Sequence, residues 1–174
     1  MALLEEAARQ LYREWFVRLR FPGHEHTRDT NGVPEGWNKV QLGEITTRIG
    51  SGYTPRGGES TYLPEGTPLI RSMNVCDDIF VDKGLAFVSD DDAAALVGVT
   101  VESKDTLLNI TGASVARCCM APERYLPARV NQHVMIIRVD PEKADPFHVH
   151  SAINSDERKR QLLSYAQKGL ADDF

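Results

Sequence analysis

The stretch from Thr106 to Val139 constrains the fold more than any other, because it holds two apolar β-type runs whose spacing suits a sheet. Leu107, Leu108 and Ile110 make a short apolar run, Gly112 permits a left-handed backbone, and the pattern restarts over Val115 to Met120. Strand, tight turn, strand is the expected order. Downstream, His133 to Val139 is almost uninterrupted in β-branched and apolar side chains, which fits a central strand. Asn131 and Gln132 stand immediately before it. Amides at a strand end either close a turn through nearby backbone or face outward and read a partner, and the pattern leaves both open.

A chain of 174 residues suits one domain, or one domain with an appendage, and buries roughly 70% of its unfolded surface without staples. The three cysteines, two of them adjacent at Cys118 and Cys119, build no disulfide framework, and without a CxxC pair a structural zinc site has no basis. A reducing, cytoplasmic setting is expected. No apolar run approaches the ~20 residues of a membrane span, and the first residues lack a signal-peptide core, so no membrane partner is expected. The pairs His24/His26 and His148/His150 have no Cys, carboxylate or further His at ligand spacing, and no metal or other cofactor is expected.

The net charge of −5 argues against unqualified binding to a polyanion, but the charge is unevenly spread. Residues 76–105 carry eight acids against Lys83 and Lys104, a local balance of −6 that leaves +1 for everything else. The acidic segment either faces a protein partner or solvates one side of the fold, while the remaining surface stays open to a polyanion.

Along the chain, Leu4, Ala8, Leu11, Trp15 and Leu19 recur at helical spacing, with Tyr12 and Phe16 widening the stripe, and Phe21-Pro22-Gly23 ends the helix. Leu4, Leu11, Trp15 and Phe16 form an apolar face that needs cover, either from the chain's own domain or from a second helix in a coiled coil. Residues 1–22 are thus an amphipathic coiled-coil-type helix, 23–32 a polar linker, and 33–174 the main domain. Asn38 to Leu42 is expected as a short strand, with one helical turn over Gly43 to Thr47. The segment from Ile49 to Gly66 holds five Gly and two Pro, the composition of a long functional loop, and offers Tyr53 for stacking and Arg56 for bidentate bonding. Thr67 to Arg71 is a strand, followed by Asn74. Ser89 caps a short helix to Leu96, and residues 146–168 form two helices broken at Asn154, the second stopping at Gly169. The expected class is α+β: a curved mixed or antiparallel sheet with short peripheral helices and one projecting N-terminal helix.

No nucleophile with a base, no paired carboxylates in a pocket context and no phosphate-cradling loop occurs, so the chain reads as a binding protein, not an enzyme. The order PEGW (34–37), a GxTP loop (Gly52, Thr54, Pro55), PLIR followed by Asn74, DxLLNITGAS (Asp105, Leu107 to Ser114) and NQHV (131–134) resembles a target-recognition domain of the specificity subunit of type I restriction–modification systems. The helix before it resembles the end of that family's long inter-domain helix. Two departures stand out: Ala116 sits where the family often has a second Gly, and the chain stops at GLADDF (169–174) where family members continue. The resemblance implies half of a specificity subunit, a non-catalytic component that directs methyltransferase and restriction subunits to a double-stranded DNA target. Arg pairs with guanine and Asn or Gln with adenine in the major groove, which nominates Tyr53, Arg56, Arg71, Asn74, Arg117, Asn131 and Gln132. For Arg71 and Asn131 a local bond within a turn is an equal alternative. A homodimer through the N-terminal helix is a further expectation. The competing function is an assembly module of such a complex that does not itself bind DNA.

Overall fold

The computed structural model describes residues 2–171, with side chains described for residues 3–167. Contacts divide the chain into two units that meet in sequence between Ile45 and Thr46.

In the first unit, α1 (Ala2–Tyr12) ends earlier than the apolar period predicts, and the chain continues as a wider π turn over Arg13–Val17. Arg18 N–H donates to the Arg13 carbonyl at 2.9 Å, and Leu19 takes a left-handed φ of 57°, which closes the helix before Pro22 is reached. The expectation of one regular helix to Leu19 is corrected here. Aromatic packing accompanies the change: Phe16 lies 5.1 Å from Tyr12 and 5.3 Å from Trp37 between ring centroids, and Phe21 stacks on Trp37 at 4.9 Å. Asn38 to Leu42 is not a strand. Val40 is exposed, no strand among the described residues pairs with it, and a 3-10 turn occupies Leu42–Ile45.

The second unit is built on two four-stranded sheets. The first runs β1 (Thr46–Ser51), β8 (Val134–Val139), β5 (Thr106–Asn109) and β6 (Cys118–Met120), all antiparallel. β8 is central, as its apolar run requires, and pairs Ile136 with Leu107 and Val134 with Asn109. The second sheet runs β3 (Ala86–Val88), β2 (Thr67–Ile70), β7 (Ala128–Val130) and β4 (Thr100–Val101), with β2 and β7 parallel and the other pairs antiparallel. One core cluster takes side chains from both sheets, including Leu69, Ile70, Leu107, Val130 and Ile136. Neither sheet closes into a barrel among the described residues. The class is α+β, with an N-terminal helix.

Helices α2 (Asp90–Ala95), α3 (Pro146–Ile153) and α4 (Asp156–Ala171) complete the unit. Ser89 Oγ accepts from Asp92 N–H at 3.2 Å, and Asp90 to Asp92 occupy the first turn of α2, where the helix dipole favours negative charge. Asp145 caps α3 by accepting from His148 N–H at 2.8 Å.

The acidic segment is not a free solvating face. Asp105, with no exposed surface, receives Arg138 through both oxygens at 2.8 Å, and Arg138 also meets Glu102. That hydrogen bonding holds the Arg138 guanidinium protonated more firmly than usual. Asp77 pairs with Lys159, Asp82 with Arg124, and Asp78 takes His150 Nε2 at 2.9 Å together with the Asn154 amide. Asp77, Asp78, Glu102 and Asp105 thereby tie loops to β8, α3 and α4, and Asp82 ties one loop to another.

Candidate functional site

Three segments of the second unit converge on the end of β8. The loop leaving β1 approaches first: Gly52 N–H donates to the Asn131 carbonyl at 3.1 Å. An added Cβ at Gly52 would lie 1.7 Å from the Val130 carbonyl oxygen, so the approach admits only glycine. Two residues on, Thr54 Oγ1 donates to Gln132 Oε1 at 2.6 Å. The turn after β5 supplies Thr111, whose Oγ1 lies 2.6 Å from His133 Nδ1, and Ile110 N–H donates to the His133 carbonyl at 3.0 Å. Beside these contacts a pocket of about 290 Å³ is lined by Thr54, Glu59, Tyr62, Arg71, Asn131 and His133, among others.

The nominated residues fall into two groups. Tyr53 hydrogen-bonds the Ala95 carbonyl through its hydroxyl at 2.7 Å while the residue stays 49% exposed, which leaves a face for stacking. Arg56 and Arg117 are exposed, and their side chains have no partner among the described residues. Gln132 is exposed and held by Thr54. These four present chemistry outward. Arg71 lines the pocket, yet its guanidinium is spent on Glu59 at 2.8 Å, the Gly84 carbonyl at 2.7 Å and the face of Tyr62. Asn74 has no exposed surface: Oδ1 accepts from Arg71 N–H and Nδ2 donates to the Val81 carbonyl. Its nomination as an outward reader is corrected, since a buried amide bonded at both ends closes its turn. Asn131 is 5% exposed, and its Oδ1 accepts from His133 N–H at 3.1 Å, the local-bond alternative. The helix face divides too, with Leu4 and Leu11 76% and 50% exposed while Phe16 packs on Tyr12 and Trp37.

Thr54, Thr111 and His133 were not nominated as readers. His133 sits inside the NQHV motif but reads as the first residue of a strand, and no periodicity marks a ring that bonds sideways to a threonine. Arg48 is a further unpaired arginine, on β1, with a buried Nε. Among the described residues no three His, Cys, Asp or Glu side chains are grouped to hold a metal ion, and no helix is long and apolar enough to cross a membrane.

No protein-family model and no curated protein matches the chain. Solved structures do. A chain from the structures describing complex assembly and conformational transition of the type I R-M system aligns with a TM-score of 0.56 and 16% identity, over 98% of this chain and 47% of that one. The fold is that of the matched chain from the type I R-M system. The crystal structure of the HsdS subunit from Thermoanaerobacter tengcongensis aligns over 96% of this chain and 46% of its own, at 15% identity and a TM-score of 0.49. The chain therefore spans about half the length of these two neighbours.

Proposed function

We propose that the chain recognises a specific DNA sequence as the specificity component of a type I restriction–modification complex, or as half of one, and performs no catalysis itself. Residues 33–174 act as the target-recognition domain and the N-terminal helix as an assembly element, in the cytoplasm, with methyltransferase and restriction subunits as partners. The observation that carries this reading is the distribution of free guanidinium groups. From Thr46 onward Arg71, Arg124, Arg129, Arg138, Arg158 and Arg160 are engaged inside the unit and Arg48 is unpaired on β1, whereas the side chains of Arg56 and Arg117 stand free on loops, alongside the open face of Tyr53 and the amide of Gln132. Free Arg on loops, an aromatic face and an amide are what groove reading and phosphate contact need. Pairing with Arg124, Arg138 and Lys159 offsets part of the negative charge that the 76–105 segment would otherwise present to a polyanion.

The test is a mobility shift of the full chain, alone and with its methyltransferase subunits, over genomic duplex fragments at two salt concentrations. A subset of fragments is retained preferentially, and Arg56→Ala relaxes the preference at one base pair. Uniform loss across all fragments would make Arg56 a phosphate contact, and equal retention of every fragment by the wild type would sink the reading.

A further inference from the structure

Gln132 is an exposed side chain whose amide is held at both ends. Thr54 Oγ1 donates to Oε1 at 2.6 Å, and Nε2 lies 3.2 Å from His133 Nε2. Since Gln132 is the donor in the second contact, His133 Nε2 accepts, the neutral ring carries its proton on Nδ1, and that N–H donates to Thr111 Oγ1 at 2.6 Å. The chain Thr111–His133–Gln132–Thr54 thus crosses all three segments that meet at the end of β8.

A glutamine amide has two lone pairs and two N–H bonds. The two contacts use one of each, and one acceptor and one donor remain on an exposed group. Among the major-groove base edges only adenine presents the complement, an N6 amino donor beside an N7 acceptor. Guanine offers two acceptors, cytosine a donor, thymine an acceptor beside a methyl group, and a phosphate only acceptors. Fixing the amide beforehand also lowers the ordering cost that a free glutamine would incur on binding.

We propose that Gln132 reads one adenine in the major groove, with Thr54, His133 and Thr111 as the positioning residues that orient its amide. The proposal rests on the DNA-reading function above. It is tested by selection from randomised duplexes with the full chain, followed by sequencing of the retained sites. The wild type selects a site with one adenine that Gln132→Ala loosens by about 5- to 150-fold while every other position is kept. Gln132→Glu, which can only accept, moves that position toward cytosine. Thr54→Val keeps adenine in first place but reduces its margin several-fold, with the melting temperature unchanged. If the wild type selects no sequence, the DNA-reading function itself fails. If it selects a site that Gln132→Ala leaves intact, or weakens equally for all sequences, the function stands and the adenine assignment is overturned. If Thr54→Val matches the wild type while Gln132→Ala does not, the positioning role is overturned.

Discussion

A single backbone approach sets the geometry of the reading loop. Gly52 passes so close to Val130 that a methyl group would fall 1.7 Å from its carbonyl oxygen, so Gly52→Ala forces the loop away from β7. A loss of about 1–3 kcal/mol is expected, read as a lower urea midpoint with an unchanged slope, and the Thr54 to Gln132 contact should go with it. Unchanged stability would mean that the loop yields without resistance. At this scale the sequence was legible where backbone chemistry decides and opaque where partners decide. The GxTP pattern marked Gly52, and the left-handed φ of 69° at Ala116 falls where the family resemblance calls for glycine. Asn74 and Gln132 are both amides beside strands, yet one is buried and the other exposed, because burial depends on residues far away in the chain.

Elements were legible when their signals were local. The cap at Ser89, the apolar run of β8 and the break at Asn154 all appear as expected, since each depends on neighbours within a few residues. The strand expected at Asn38 to Leu42 failed because no other strand comes beside it, a long-range condition. The π turn of α1 was equally hidden, since Trp37, on which Phe16 packs, lies 21 residues on. β6 carries a measurable consequence. Burial pushes the Cys118 thiol from an ordinary 9.0 up to about 12 and raises the Cys119 thiol as well. The native state therefore keeps these protons while the unfolded chain releases them, so the stabilisation is complete below pH 9 and falls as pH rises toward 12. The decline reaches up to about 1.4 kcal/mol per pH unit for each thiol. Urea midpoints between pH 8 and 10.5 should drop less steeply in Cys118→Ala than in the wild type; parallel curves would show that this thiol does not titrate on unfolding.

For the whole molecule, the open question is what covers α1. Phe16 already has Trp37, so the uncovered face is the leucine end, Leu4 and Leu11, with Leu3 87% exposed beside them. Pairing of two copies through α1 follows from the proposed assembly role. Sedimentation equilibrium should show a concentration-dependent dimer that Leu4→Asp with Leu11→Asp weakens by at least about tenfold while the fold is kept. A wild type monomeric at high micromolar concentration would defeat this. The acids of residues 76–105 carry a lesson of the same scale: a charge count suggested a solvated or partner-facing surface, but half of these carboxylates close loops onto distant helices and strands, and three more start α2. The topology also has a kinetic side. Among the described residues β1 finds its strand partner in β8, about 90 residues later, and β2, paired earlier with β3, waits for β7 on its other edge. At a synthesis rate of roughly 5–20 residues per second, β1 stays unpaired for about 5–20 s on the ribosome. During that interval its open hydrogen-bonding edge invites pairing with other nascent chains, and the yield of folded protein should depend on how fast the second half is made.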